Sequence, residues 1–167
     1  MQWQLKFNLL DRITELVPGV RIAGVKRLSG EEDYLIDHFP RFPVMPGVLM
    51  LESVYQASMW LIRQSEGFAN SVVILKEARN IKFSDLITPG KELVVMAEII
   101  KQDGPLTTLK VQGTVDDKLA IIGRLVLEKF NLAERVPNRR ITDPYLRDHF
   151  RSVLKQLLPA EIGTTET

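Results

Sequence analysis

From about Val48 to Gln64 the chain carries a helical pattern that is apolar on almost every side. Val48, Leu49, Met50, Leu51, Val54, Tyr55, Ala57, Met59, Trp60, Leu61 and Ile62 cover nearly the whole circumference. A helix of that kind cannot lie on a surface, because it has no polar face to give to water. A chain of 167 residues fits one domain with a substantial core, and offers few places to hide such a helix. The place that fits is the inside of a curved sheet. The residues after Gly67 supply one. Val72–Leu75, Ala78–Phe83, Glu92–Ile100, Leu106–Val115 and Lys118–Phe130 read as strands. The turns Thr88-Pro89-Gly90, Asp103-Gly104-Pro105 and Asp116-Asp117 separate the later ones, which makes an antiparallel meander. One central helix and such a sheet define an α+β architecture.

The flanks are less regular. Asn8–Ile13 reads as a helical turn or a strand entry, Val20–Leu28 as a strand, and Tyr34-Leu35-Ile36 as a short strand. Beyond the sheet, Pro137–Pro144 is a linker, and Thr142-Asp143-Pro144-Tyr145 opens a helix with apolar residues at helical spacing through about Leu158. This divides the chain into a main domain, 1–132, and a basic helical extension, 133–167, whose last residues from Gly163 are expected to be disordered.

Composition narrows the function classes. A formal net charge of +1 gives no drive toward nucleic acid. The chain has no cysteine, which excludes disulfides, thiolate catalysis and cysteine-based zinc sites. Two histidines more than a hundred residues apart do not suggest a His-rich metal site. No stretch reaches the ~20 apolar residues of a membrane span, and the first residues do not read as a signal peptide. The expected location is the cytoplasm.

The chemistry concentrates between His38 and Glu52. His38 begins a loop stiffened by Pro40, Pro43 and Pro46, which leads into the apolar helix. Its neighbours Phe39, Pro40, Phe42 and Pro43 are expected to hold a neutral imidazole in a dry place, where it can accept a proton near pH 7. Phe39, Phe42 and Pro46 are the candidate substrate-pocket residues. Glu52 is a lone carboxylate inside the apolar helix pattern, where desolvation is costly. Gln56 lies one turn on and shares its face, so the two define a polar stripe on an otherwise apolar surface. At the helix start, the N–H groups of Gly47 and Val48 lack intrahelical acceptors. With the helix dipole they can bind a carbonyl oxygen or a developing enolate.

The segment His38-Phe-Pro-x-x-Pro-Val-Met-Pro-Gly-Val-Leu-x-x-Glu52-x-x-x-Gln56 resembles the active-site segment of the β-hydroxyacyl-acyl-carrier-protein dehydratases of fatty-acid synthesis. Asn8–Ile13, Ala78–Phe83 and Thr88–Gly90 resemble flanking parts of the same family, and the likeness spans roughly residues 5–130. It implies the hot-dog fold, a curved antiparallel sheet around a long helix. It implies that His38 removes the α-proton of a 3-hydroxyacyl thioester and that Glu52 protonates the departing hydroxyl. The Gly47 N–H would polarise the thioester carbonyl, and Gln56 would orient Glu52. It further implies a homodimer whose site takes His from one subunit and Glu from the other. The substrate would arrive on acyl carrier protein, which is acidic. Arg41, Arg79 and Lys82, and the tail residues Arg139, Arg140 and Arg147, are the candidate docking cations. Proton movement without redox needs no cofactor and no metal.

Two positions depart from the family pattern. Asp37 stands where a glycine usually precedes the histidine, and Arg41 stands where a glycine usually follows His-Phe-Pro. The first sets a carboxylate beside His38, and the second sets a long cation near the pocket mouth. Two other readings of the same fold stay open at this point, a thioesterase and a non-catalytic acyl-binding domain.

Overall fold

The computed structural model of the chain describes residues 8–37 and 40–160. His38, Phe39 and the segment from Gly163 therefore lie outside the described residues. The central helix, α2 (Gly47–Ser65), sits where the sequence places it, within one residue at each end. Met50, Val54, Ala57 and Leu61 are all at most 1% exposed, and their spacing makes one stripe. Fully burying side chains the size of Met50, Val54 and Leu61 stabilises by ~1.5–3 kcal/mol each. Ser53 and Ser58 are also buried, and their hydroxyls donate to the carbonyls one turn back, Leu49 and Val54. Two polar groups thus enter the core without leaving it an unmet hydrogen bond.

Around α2 curves a six-stranded antiparallel sheet in the order β1-β2-β4-β5-β6-β3. Its strands are β1 (Arg12–Val17), β2 (Arg21–Arg27), β3 (Val72–Phe83), β4 (Glu92–Asp103), β5 (Leu106–Val115) and β6 (Lys118–Phe130). Leu93, Val95 and Ala97 of β4 and Leu109 and Val111 of β5 point inward in strict alternation, as a sheet with one covered face requires. Asp116 and Asp117 both adopt positive φ, 50° and 62°. That is the hairpin turn whose twist matches its flanking strands.

Two local readings change, and a third, left open between two alternatives, is decided. Tyr34–Ile36 is not a strand but part of a one-turn helix, α1 (Tyr34–Asp37). The Leu35 and Ile36 N–H groups donate to Glu32 and Asp33 carbonyls, and the Glu32 carboxylate accepts the N–H groups of Ser29 and Gly30. Those short-range bonds win over the β preference of Tyr and Ile. The two expected strands at 72–75 and 78–83 are one strand, β3, interrupted in its pairing with β6 between Leu75 and Glu77 and between Arg79 and Lys82. Bulges hide strand continuity from a period-two reading. Gly123 faces the second of them, where a Cβ would come within 2.4 Å of the Ile81 side chain and 3.1 Å of the Arg79 carbonyl. Asn8–Ile13 resolves to a strand entry, with β1 starting at Arg12.

After β6 the chain makes a short helix, α3 (Leu132–Arg135), a 3-10 turn at Pro137–Arg139, and the helix α4 (Thr142–Leu157). Leu154 and Leu157 are buried in the main core. Asp143 pins the helix start: its carboxylate accepts the N–H of Leu132 at 2.7 Å, the N–H of Ala133 at 3.0 Å and the Ser71 hydroxyl. No helix among the described residues is long and apolar enough to cross a membrane.

Candidate active site

The start of α2 is set by its loop. The Met45 N–H donates to the Ile87 carbonyl at 2.9 Å, which fixes the entry, and Pro46 precedes the first helical residue. Gly47 lies under the ring of Phe83, the last residue of β3. A Cβ at Gly47 would stand 3.2 Å from that ring. Glycine is therefore the side chain that fits there without displacing the aromatic. The N–H groups of Gly47 and Val48 have no acceptor among the described residues, so this helix start keeps two oriented donors.

One turn further on stands Glu52, half-buried. The Gln56 side-chain N–H donates to Glu52 Oε1 at 3.1 Å. Gln56 is 9% exposed, and its Oε1 accepts the Leu9 backbone N–H at 2.9 Å. That second bond fixes which end of the amide faces which way. With oxygen committed to a backbone donor, the NH₂ end must face Glu52. The N-terminal segment therefore orients Gln56, and Gln56 orients the carboxylate.

Glu52 and Gln56 open into a cavity of about 220 Å³. Its other lining residues are Asn8, Tyr55, Met59, Trp60, Arg63, Val73, Phe150 and Val153. Members of α2 here recur three or four residues apart from Glu52 to Arg63, so one helix stripe forms a whole wall. The Tyr55 hydroxyl donates to the Val73 carbonyl at 2.8 Å. Burial and the nearby Glu52 charge raise the Tyr55 phenol above its ordinary range against the opposing pull of Arg63. Arg63 is 2% exposed, and burial pushes it down to about 10. Its guanidinium donates to the Asn70 and Ser71 carbonyls and lies 3.7 Å from the centre of the Phe150 ring.

The structure thus brings together Gly47, Val48, Glu52 and Gln56, while His38 and Phe39 fall outside the described residues. Phe42 is 58% exposed, and neither it nor Pro46 lines the cavity. Arg41, Arg79 and Lys82 are all exposed, and Arg79 is paired with Glu77 at 2.8 Å. Sequence reasoning missed Phe83, Tyr55, Arg63 and Phe150. The stripe Glu52, Tyr55, Gln56, Met59, Trp60, Arg63 carried the signal for the α2 members. Nothing local could have linked Phe150 to it.

Comparison with known proteins bears on the same segment. A family profile described as the FabA-like domain matches residues 3–123. The chain is 35% identical over 119 residues to the 3-hydroxyacyl-[acyl-carrier-protein] dehydratase FabZ of Lactococcus lactis subsp. cremoris, an alignment covering 71% of this chain and 82% of that protein. It is 43% identical over 93 residues to the protein of the same name from Wolbachia pipientis, covering 56% of this chain and 65% of the relative. Among solved structures it resembles the dehydratase heterocomplex ApeI:P from Xenorhabdus doucetiae. There the TM-score is 0.64 at 18% identity, over 82% of this chain and 92% of that one. At that identity the likeness speaks for the fold, which is the hot-dog arrangement.

Proposed function

The chain belongs to the FabA-like family, and from that premise we infer that it dehydrates 3-hydroxyacyl thioesters of acyl carrier protein to trans-2-enoyl thioesters in fatty-acid biosynthesis. The observation that carries this reading to particular residues is the Glu52 carboxylate, held by Gln56 and facing a largely apolar cavity. His38 takes the proton from C2 of the substrate. The negative charge moves onto the thioester oxygen, where the Gly47 and Val48 N–H groups and the positive end of α2 receive it. Glu52 gives its proton to the C3 hydroxyl, the C3–O bond breaks, and water leaves. The enoyl double bond forms between C2 and C3. Return of the proton from His38 to Glu52 through solvent resets the site. Nothing is oxidised or reduced, so the residues suffice without a cofactor.

The working unit is a homodimer, with His38 of one subunit serving Glu52 of the other. Support comes from β3, an edge strand whose residues 76–80 are exposed and which has no strand on its outer side among the described residues. An unpaired edge of that length invites pairing with a second copy. Ile74, Phe83 and Val48 add exposed apolar surface nearby in the fold. Phe42, exposed in a single chain, fits a wall presented with Phe39 and Pro46 to the neighbouring pocket. Arg41, Arg79 and Lys82 are the cations offered to the acidic carrier. A cytoplasmic location fits a reaction on carrier-bound thioesters.

Incubating the protein with a 3-hydroxyacyl and an enoyl thioester tests the reading directly. Interconversion of the two supports it. Release of free thiol without enoyl formation would replace it with a thioesterase, and no conversion of either would leave an acyl-binding domain.

A further inference from the structure

We propose that α4 closes the far end of the acyl pocket, and that Phe150 and Val153 set the longest acyl chain this site accepts. The proposal rests on the dehydratase reading of the Glu52 pocket. The FabA-like match ends at residue 123, so α4 lies wholly beyond it. Yet its side chains share one cavity with the reacting carboxylate. Glu52 and Gln56 lie on the first half of α2, and Met59 and Val73 line the same cavity. Phe150 and Val153 of α4 enter it, with Phe150 packed against Trp60 and Arg63 further along α2. A pocket that begins at the thioester end of the substrate and continues between apolar side chains has one natural occupant, the alkyl chain attached to the reacting carbons. Its volume of about 220 Å³ is small beside the ~300–1,000 Å³ of typical ligand pockets. The wall therefore acts on chain length directly.

A wall sets length only if it is held in place, and two side chains of α2 hold the Phe150 ring while both ends of α4 are anchored. The Arg63 guanidinium lies 3.7 Å from its ring centre, and the Trp60 ring meets it edge-on at 5.8 Å between centroids. Arg63 is itself tied to the Asn70 and Ser71 carbonyls at 3.3 and 3.2 Å. Before Phe150, Asp143 fastens the helix start to the N–H groups of Leu132 and Ala133. After it, Leu154 and Leu157 are 3% and 4% exposed. The helix that carries Phe150 is thus fixed by a polar anchor before it and an apolar anchor after it.

The test is a chain-length profile. Wild type, Phe150→Ala, Phe150→Trp and Val153→Ala are assayed with 3-hydroxyacyl pantetheine thioesters of increasing length. Phe150→Ala and Val153→Ala should raise kcat/KM for the first chain that wild type rejects by about 10-fold or more, the scale of discrimination by a methylene-sized change in an apolar pocket. Phe150→Trp should move the cut-off to shorter chains. The same variants are heated with saturated acyl-pantetheines of the same lengths, and the length at which stabilisation stops growing should move in parallel. Identical cut-offs in all four proteins, or no stabilisation by any chain, would overturn the proposal. A wild type that binds and discriminates chains but never forms an enoyl product would overturn the dehydratase reading while the wall still stands. If Phe150→Ala does not fold, Phe150→Leu and Val153→Ala carry the comparison.

Discussion

The side-chain N–H of Gln56 donates to Glu52 at 3.1 Å, while the Gln56 oxygen accepts the Leu9 N–H at 2.9 Å. In the proposed mechanism, positioning and proton transfer fall to two different residues on one helix face. Glu52→Gln keeps the shape and removes the acid, so kcat should fall by about 10²- to 10⁴-fold. Gln56→Leu keeps the acid and loses its orientation, and a smaller loss is expected, together with a shifted pH profile of kcat. A Gln56→Leu enzyme with the wild-type pH profile would reduce that residue to packing.

The Gly47–Phe83 contact separates activity from stability. A methyl at Gly47 would stand 3.2 Å from the ring, and Phe83 is half exposed, so the ring has room to swing outward. Gly47→Ala should therefore cost little in Tm and much more in kcat/KM, because the displaced ring disturbs the helix start that receives the carbonyl. Thermal melts beside steady-state kinetics check this. A large Tm loss with unchanged kcat/KM would place Gly47 in the fold alone.

Much of this arrangement was legible in the residue pattern, for identifiable reasons. The apolar circumference of α2 required enclosure, and turn residues such as Asp116 and Asp117 marked the meander. Glu52 and Gln56 stood out because a polar pair one turn apart is rare on an apolar helix. Other features depend on what lies across the fold. The bulges that join both halves of β3 are matters of pairing with β6. The α1 turn comes from the Glu32 carboxylate gathering two backbone donors. Phe83 over Gly47 and Phe150 beside Glu52's cavity join residues far apart in the chain, and periodicity carries no such information.

The α4 anchor should be acid-sensitive. Burial pushes Asp143 up, but the Ser71 hydroxyl, the Ala133 and Leu132 N–H groups and the Arg147 charge outweigh it and leave it below its usual 3.8. A depressed carboxylate contributes stability above its unfolded value and loses it as pH falls through the folded value. The advantage of wild type over Asp143→Ala should thus be full above about pH 4 and shrink as pH falls through and below 3.8. At neutral pH the substitution strips partners from two backbone donors, at a cost of about 1–3 kcal/mol. Melts of both proteins across that range measure it. A difference independent of pH would remove the carboxylate's charge from the account.

Shared sites predict complementation. His38→Ala and Glu52→Gln homodimers should each be inactive. Mixed and allowed to exchange subunits, they should recover part of the activity, since one of the two sites in a heterodimer keeps both groups. Sedimentation should show at least a dimer at micromolar concentration. A monomer active at high dilution, or no recovery despite proven exchange, would sink the shared site.

Carrier docking should rank the three cations by what already neutralises them. Arg79 is paired with Glu77 at 2.8 Å, whereas Arg41 and Lys82 have no ion pair among the described residues. A cation with a neighbouring carboxylate presents less net charge to an acidic partner, and both are exposed, so the field falls off over ~8 Å at physiological ionic strength. Charge reversal at Arg41 or Lys82 should therefore raise KM for a carrier-protein thioester more than reversal at Arg79. None of the three should much change KM for the short pantetheine thioester, and added salt should erase the differences. Equal effects on both substrates would instead put these residues in the acyl pocket. A larger effect at Arg79 would mean that the carrier breaks the Glu77 pair on docking, and Glu77→Gln should then lower KM for the carrier-bound substrate.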